Sequence, residues 1–291
     1  MDYDNLAKIR AEINLYTSRK TSNILDGEFT SVFRGRSLDF DDLREYTYGD
    51  NIKDIDWKSS SKTGKTLVRR FIAEKKHNVL FVVDTGAKMR ADTLSFEDKG
   101  ALAVDIFGTI AYLVDKHGDD FALMQGTENG TFFSFFRNGA AHFENLMTKC
   151  SQNIDKGEKS DPAGMLDYIS ESMRRKMVII LITDMAGMDT LNEKILRKIT
   201  VNNDLLVINI EDAYMYGDDV FDVDRGKYED DYTSRRSKLL KAEQKERQSR
   251  YLKINERFKR YGVSYISISS EKDIIEKVIE LFERHKHESI S

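Results

Sequence analysis

The sequence predicts a doubly wound, mostly parallel α/β sheet preceded by a small β-containing lobe. Three observations carry that prediction. The apolar runs Val79-Leu80-Phe81-Val82-Val83 and Met177-Val178-Ile179-Ile180-Leu181-Ile182 have the length and β-branched content of buried central strands. Both run straight into acidic loops, Asp84-Thr85-Gly86-Ala87-Lys88 and Thr183-Asp184-Met185. From residue 77 onward strand and helix patterns alternate, as they do when crossover helices join parallel strands.

The elements follow in order. Leu6, Ile9, Ile13 and Tyr16 recur at helical spacing and predict an amphipathic N-terminal helix. Residues 27–76 change to short, charged, turn-rich pieces punctuated by Gly35, Gly49 and Gly64, with Thr66–Phe71 reading as an edge strand. The first unit is therefore residues 1–76, a helix plus a small β lobe, and the second is residues 77–291.

In the second unit, strand Val79–Asp84 leads to a helix over Leu94–Lys116 that is apolar on more than one face, hence deeply buried. Strands Asp120–Gln125 and Thr131–Arg137 flank a Gly- and Asn-containing loop that signals a hairpin. Helices are expected over Ala140–Ser151 and Pro162–Arg174, the latter with Asp161 as N-cap and Pro162 in first position. Strand Met177–Asp184, helix Leu191–Thr200, strands Leu205–Ile210 and Val263–Ile268, and helix Asp273–His285 complete the pattern. A charged insertion over residues 211–260 interrupts it. Its acidic first part and basic helical second part are expected to solvate or pair with each other, with a dedicated partner surface as the alternative.

Composition narrows the function. The chain has 291 residues and a net charge of only −4, which gives no electrostatic case for nucleic-acid binding. A single cysteine excludes an intramolecular disulfide and a cysteine-based zinc cluster. No stretch reads as a signal peptide, and the apolar runs fall far short of the roughly 18 residues a membrane helix needs. Without a transmembrane segment the expected location is the cytoplasm. Ser59–Thr66 ends like a phosphate loop in Gly64-Lys65-Thr66, but Ser59 replaces the first glycine and the flanking strand and helix are missing. No histidine stands at metal-ligand spacing and no nucleophile elbow occurs.

The acidic loops remain. Sheet order places Asp84 and Asp184 at one crevice, at the switch point outside the carboxyl ends of the strands, where ligands of open α/β sheets bind. Two carboxylates there suggest a divalent cation. Asp84-Thr85-Gly86-Ala87-Lys88 resembles the first motif of the von Willebrand factor A fold, whose metal-ion-dependent adhesion site reads Asp-x-Ser-x-Ser. In that family a threonine from a later loop and an aspartate after the fourth strand complete a magnesium shell. Asp184 matches the latter, Ser160 or Asp161 is nearest to the former, and Gly86 and Lys88 stand where serines are expected.

Those departures change the chemistry. Magnesium needs close, near-octahedral oxygen ligands. An ammonium about 4 Å from the ion would be repelled by up to roughly 8 kcal/mol at an effective dielectric near 20. The expectation is a degenerate site without metal, in which Lys88 bridges Asp84 and Asp184. The alternatives are retained magnesium, held by Asp84 and Asp184, and a solvated Lys88 with no special role.

An earlier segment carries a second resemblance. Gly27 to Tyr46, with Arg34-Gly35-Arg36 and Leu43-Arg44-Glu45-Tyr46, continues through Gly49-Asp50 to Ile55-Asp56-Trp57-Lys58. It resembles the signature of the bacterial family called domain of unknown function 58, in which a von Willebrand A-like domain follows. Ser37 departs from the glycine frequent in that pattern. Read from the residues alone, Arg34, Arg36 and Arg44 alternate with Asp39, Asp50 and Asp56 and suggest an ion-paired lobe around Phe40, Tyr46 and Trp57. A docking surface built on the same arginines and aromatics is the other reading.

The family resemblance implies a non-enzymatic adaptor that works with a MoxR-type AAA+ ATPase in assembly or maturation of other proteins. With Lys88 in the adhesion-site position no cofactor is expected, and no catalytic residue is assigned. The alternative is a metal-dependent hydrolase or nuclease using Asp84 and Asp184.

Overall fold

The computed structural model describes residues 25–30, 43–48, 52, 55–69, 77–157, 159–213, 220–222, 227–229 and 237–288. The expected N-terminal helix lies outside the described residues, as do Arg34, Arg36, Asp39 and Asp50; of Arg44 only the backbone is described.

Six strands make the main sheet: β3 (Asn78–Val83), β4 (Asp120–Thr127), β5 (Gly130–Phe133), β6 (Val178–Thr183), β7 (Asp204–Ile210) and β10 (Ser264–Ile268); β8 (Val220–Asp222) and β9 (Lys227–Glu229) form a separate antiparallel pair. Their order is β10-β7-β6-β3-β4-β5. Every pairing is parallel except β4 with β5, the hairpin expected from the Asn-Gly loop. β3 and β6 are neighbours, in register from Val79–Val178 to Val83–Ile182. The chain reverses its direction of winding between them, so the switch point falls where Asp84 and Asp184 leave the sheet.

Helices cover both faces. α2 (Lys99–Lys116), α3 (Ala140–Lys156) and α8 (Ile274–Glu288) pack on one, and α4 (Pro162–Ser172), α5 (Met185–Thr190), α6 (Glu193–Thr200) and α7 (Ser237–Arg260) on the other. Residues Val79 to Val83 and Ile179 to Ile182 are fully buried, as strands covered on both faces must be. α2 is buried nearly all round, which explains why its apolar residues do not keep to one stripe. As expected, α4 starts on Pro162 with Asp161 as its cap, whose Oδ1 accepts from the Gly164 amide at 2.9 Å.

The first lobe departs from the expectation. Besides the antiparallel pair β1 (Leu43–Glu45) and β2 (Leu67–Arg69) it contains a helix, α1 (Trp57–Thr63). Ser59, Ser60 and Ser61 are helical, not part of a loop. Asp56 made this helix possible: its carboxylate accepts from the Ser59 amide, and Gly64 ends the helix in the left-handed region at φ 70°. Trp57 is 66% exposed and so is no core residue of the lobe, while Tyr46 is half-buried with its amide bonded to the Thr66 carbonyl.

Two other boundaries moved. The helix expected from Leu94 begins at Lys99, after a tight loop in which the Thr93 hydroxyl accepts from the Ser95 and Glu97 amides. α5 follows Asp184 directly, where a longer loop was expected. Among the described residues no helix is long and apolar enough to cross a membrane.

Candidate functional site

Asp84 and Asp184 leave adjacent strands at the switch point, and each is held before any ligand is considered. The Asp84 carboxylate accepts from the Gly86 amide at 3.0 Å and from the Thr183 hydroxyl at 2.7 Å. The Asp184 carboxylate caps α5, accepting from the Gly187 amide at 2.9 Å. A single turn of 3₁₀ helix, Ala87–Arg90, returns Lys88 over both. Its Nζ lies 3.0 Å from Asp84 Oδ2 and 2.7 Å from Asp184 Oδ1.

A second lysine continues the chain of charges. Lys99, in the first turn of α2, has no exposed surface. Its Nζ lies 3.1 Å from Asp184 Oδ2 and also bonds Asp212 Oδ1 just past β7. The order is therefore Asp84, Lys88, Asp184, Lys99, Asp212, with opposite charges alternating through the carboxyl edge of the sheet. Asp212 is anchored on its other side, because Arg247 of α7 donates to its backbone carbonyl at 2.7 Å.

Burial and charge oppose each other at Lys88, Asp184, Lys99 and Asp212. Burial works against both ammonium groups, but the flanking carboxylates outweigh it and hold Lys88 and Lys99 above the ordinary lysine range. Burial also pushes Asp184 upward, yet Lys99, Lys88 and the Gly187 amide bring it down to about 2. Asp212 goes the other way: burial, reinforced by the charge of Asp184, outweighs Lys99 and raises it.

The donor set does not fit magnesium. That ion requires oxygens at about 2.0–2.1 Å, and the space between the two carboxylates is taken by Lys88 Nζ. The nearby threonine hydroxyls act as donors, Thr85 Oγ1 to the Gly126 carbonyl at 2.9 Å and Thr183 Oγ1 to Asp84 at 2.7 Å. Gly86 supplies no side-chain oxygen. A Cβ there would come a tight 3.3 Å from Asp84 Oδ1 and would be in ordinary contact with Lys88 Cε at 3.5 Å. Among the described residues no group of three His, Cys, Asp or Glu side chains is arranged to hold a metal.

Ser160 and Asp161 are not joined to this chain of charges. Asp161 is exposed and spent on capping α4. The Ser160 hydroxyl is buried without a hydrogen bond, and its backbone lies so close to Gly126 that a Cβ on that glycine would come 3.0 Å from Ser160 Cα.

Lys99 and Asp212 escaped the sequence reading. One signal was available for Lys99: it shares a helical face with Ala103, Ile106 and Ile110, all fully buried, and a lysine on such a face needs a buried acid. Asp212 was hidden inside the acidic block counted as an insertion. Of the block's described residues, Asp212 and Ala213 are reached through their carbonyls by Arg247 of α7, while Arg250 and Arg260 reach Asp189 and Glu193 outside it; residues 214–219, 223–226 and 230–231 of its acidic part lie outside the described residues.

With the geometry in place, comparison with known proteins assigns the family. Residues 42–239 match the family described as "Protein of unknown function DUF58". The chain belongs to it. An uncharacterized protein of Mycobacterium tuberculosis is 24% identical over 217 residues, covering 73% of this chain and 67% of the relative. Among solved structures, the conserved hypothetical protein BatB from Bacteroides thetaiotaomicron is similar at 12% identity and TM-score 0.41, over 71% of this chain and 99% of that one. A von Willebrand factor type A protein from Catenulispora acidiphila is similar at 10% identity and TM-score 0.39, over 76% and 44%. The DUF58 chain has the mostly parallel α/β sheet that its sequence predicts.

Proposed function

We propose that this DUF58 protein is a non-enzymatic protein-binding adaptor in which an internal ammonium has replaced the adhesion-site cation. We further propose that it acts with a MoxR-type AAA+ ATPase in assembly or maturation of other proteins. The observation that carries this reading is Lys88 Nζ lodged between Asp84 and Asp184. A hydrolase would need those carboxylates free to hold an ion and activate water, and here two lysines neutralise them.

Exposed apolar side chains support a binding role. Phe96, 87% exposed, sits in a left-handed backbone conformation (φ 62°) on the loop beside the switch point. A non-glycine residue held there costs energy that the surrounding loop must offset. Tyr48, Ile52 and Trp57 are exposed in the signature lobe, which favours docking over scaffold for that segment.

Co-purification with a MoxR-type AAA+ ATPase of the same organism, in ATP, ADP and nucleotide-free states, tests the reading. Capture in at least one state is expected. Failure in all states, together with magnesium-stimulated cleavage of a phosphoester, would establish the hydrolase instead. Calorimetry tests the site itself: wild type should show no micromolar magnesium binding, and such binding would overturn the internal-ammonium reading.

A further inference from the structure

The opposite end of the sheet order holds a second site. β10 is an edge strand, so half its backbone groups face away from β7. The Glu211 amide bonds the Ile268 carbonyl, which turns Ile268, Ile266 and Ser264 inward. Tyr265 and Ser267 therefore present their amides and carbonyls outward. Of these groups only the Tyr265 carbonyl has a described partner, Arg284 Nη1 at 3.1 Å.

A groove follows this edge between α7 and α8. Two cavities of about 520 and 370 Å³ lie along it and share Glu211, Tyr265 and Arg284 in their walls. The first opens toward α7, with Arg247, Tyr251 and Leu252; the second toward α8, with Asp273, Lys277 and Glu280. Cavities on alternate sides of a free edge match the alternation of side chains along an added strand.

The charges in the groove are unequally matched. Glu280 is paired with Lys277 and Arg284, and Arg247 with Glu243. Glu211 and Asp273 have no ion pair or side-chain hydrogen bond among the described residues, although Arg247 and Lys277 stand near enough to Glu211 to favour its charge. Burial is the larger reason that Glu211 is held above the ordinary range. Beneath them fully buried Asn209 donates to Tyr251 Oη at 3.0 Å and to Ser267 Oγ at 2.9 Å, while its Oδ1 accepts nothing. A half-buried carboxylate without a bonded donor is a cost that a bound donor relieves.

We infer that the β10 edge accepts an extended segment of a partner protein, pairing with Tyr265 and Ser267 and seating a lysine or arginine side chain on Glu211 and Asp273. The inference rests on the binding-module reading and names the surface used. Binding would need Arg284 to release the Tyr265 carbonyl.

A displayed library of random nine-residue peptides, selected on the full chain, tests it. Enriched peptides should carry a basic residue within an alternating β-branched pattern. The tightest, made synthetically, should protect the Tyr265 and Ser267 amides from hydrogen exchange. Glu211→Gln should weaken it at least about tenfold, the scale of one charge-assisted hydrogen bond, and so should lysine-to-glutamate replacement in the peptide. Ser267→Pro should abolish binding, since proline removes an outward N–H that β7 does not use; should that variant misfold, the Glu211 and peptide changes decide alone. No enrichment, enrichment without basic residues, or protection at other amides overturns the inference. Those results are independent of ATPase capture, which judges the adaptor reading.

Discussion

The two places where acidic side chains gather on this sheet have opposite electrostatic designs. At the switch point Asp84, Asp184 and Asp212 are threaded by Lys88 and Lys99, and the chain answers its own charges. Along the β10 edge Glu211 and Asp273 face a groove without an ion pair of their own among the described residues. The conspicuous motif is thus closed from within, and the inconspicuous one is open. A carboxylate reads as a ligand site in sequence only until its counter-ion is located.

The contrast breaks most decisively at Lys99. Losing Lys99 leaves the buried Asp184 with Lys88 as its remaining counter-ion and takes from the partly exposed Asp212 its bonded ammonium, at a cost of about 3–5 kcal/mol. Lys99→Met should lower the unfolding free energy by that amount in urea titration. If it costs under about 1 kcal/mol, the charges are not coupled as the distances indicate.

Lys88→Ser comes next, at about 2–3 kcal/mol, because the Lys88 side chain keeps 20% of its exposure and water can take part of its place. This variant also has the hydroxyl that adhesion sites use, so millimolar magnesium should recover part of the lost melting temperature. No recovery, together with an unchanged melting temperature, would count against the internal ammonium.

Gly187→Ala should cost about 1–3 kcal/mol. Its Cβ would fall 1.9 Å from Thr183 Oγ1, the hydroxyl that donates to Asp84, so strain and a lost hydrogen bond act together.

Acid titration sharpens the comparison further. Asp184 is held at about 2 against an unfolded value near 3.9, so its stabilisation is present above about pH 4 and lost as pH falls through about 2. Asp212 and Glu211 are raised, and their protonation on acidification favours the fold instead. Asp184→Asn should therefore flatten the acid limb of the stability curve, measured by chemical denaturation from pH 5 to 2. The smallest effect is expected at Glu211→Gln, within about 0.5 kcal/mol of wild type, since no described partner is lost.

Much of this was legible from residue order. The central strands, the hairpin at Gly126–Gly130, the cap at Asp161 and the meeting of Asp84 with Asp184 all follow from local pattern and the rules of sheet winding. The Lys88 bridge was also within reach, since Lys88 stands four residues from Asp84. α1 was not: its serines favour loops on propensity, and the Asp56 cap that starts it declares itself only once the turn before it is formed. Lys99 and Asp212 were not, because they are 113 residues apart and their side chains meet only when α2 and the end of β7 pack together.

Sequence alone determined the fold class and which edge of the sheet carries the acids, because period, strand length and turn chemistry are properties of neighbours along the chain. Tertiary structure decided which acids are neutralised and which remain available. That depends on burial and on charges brought within about 3 Å from distant segments, and no local pattern encodes either.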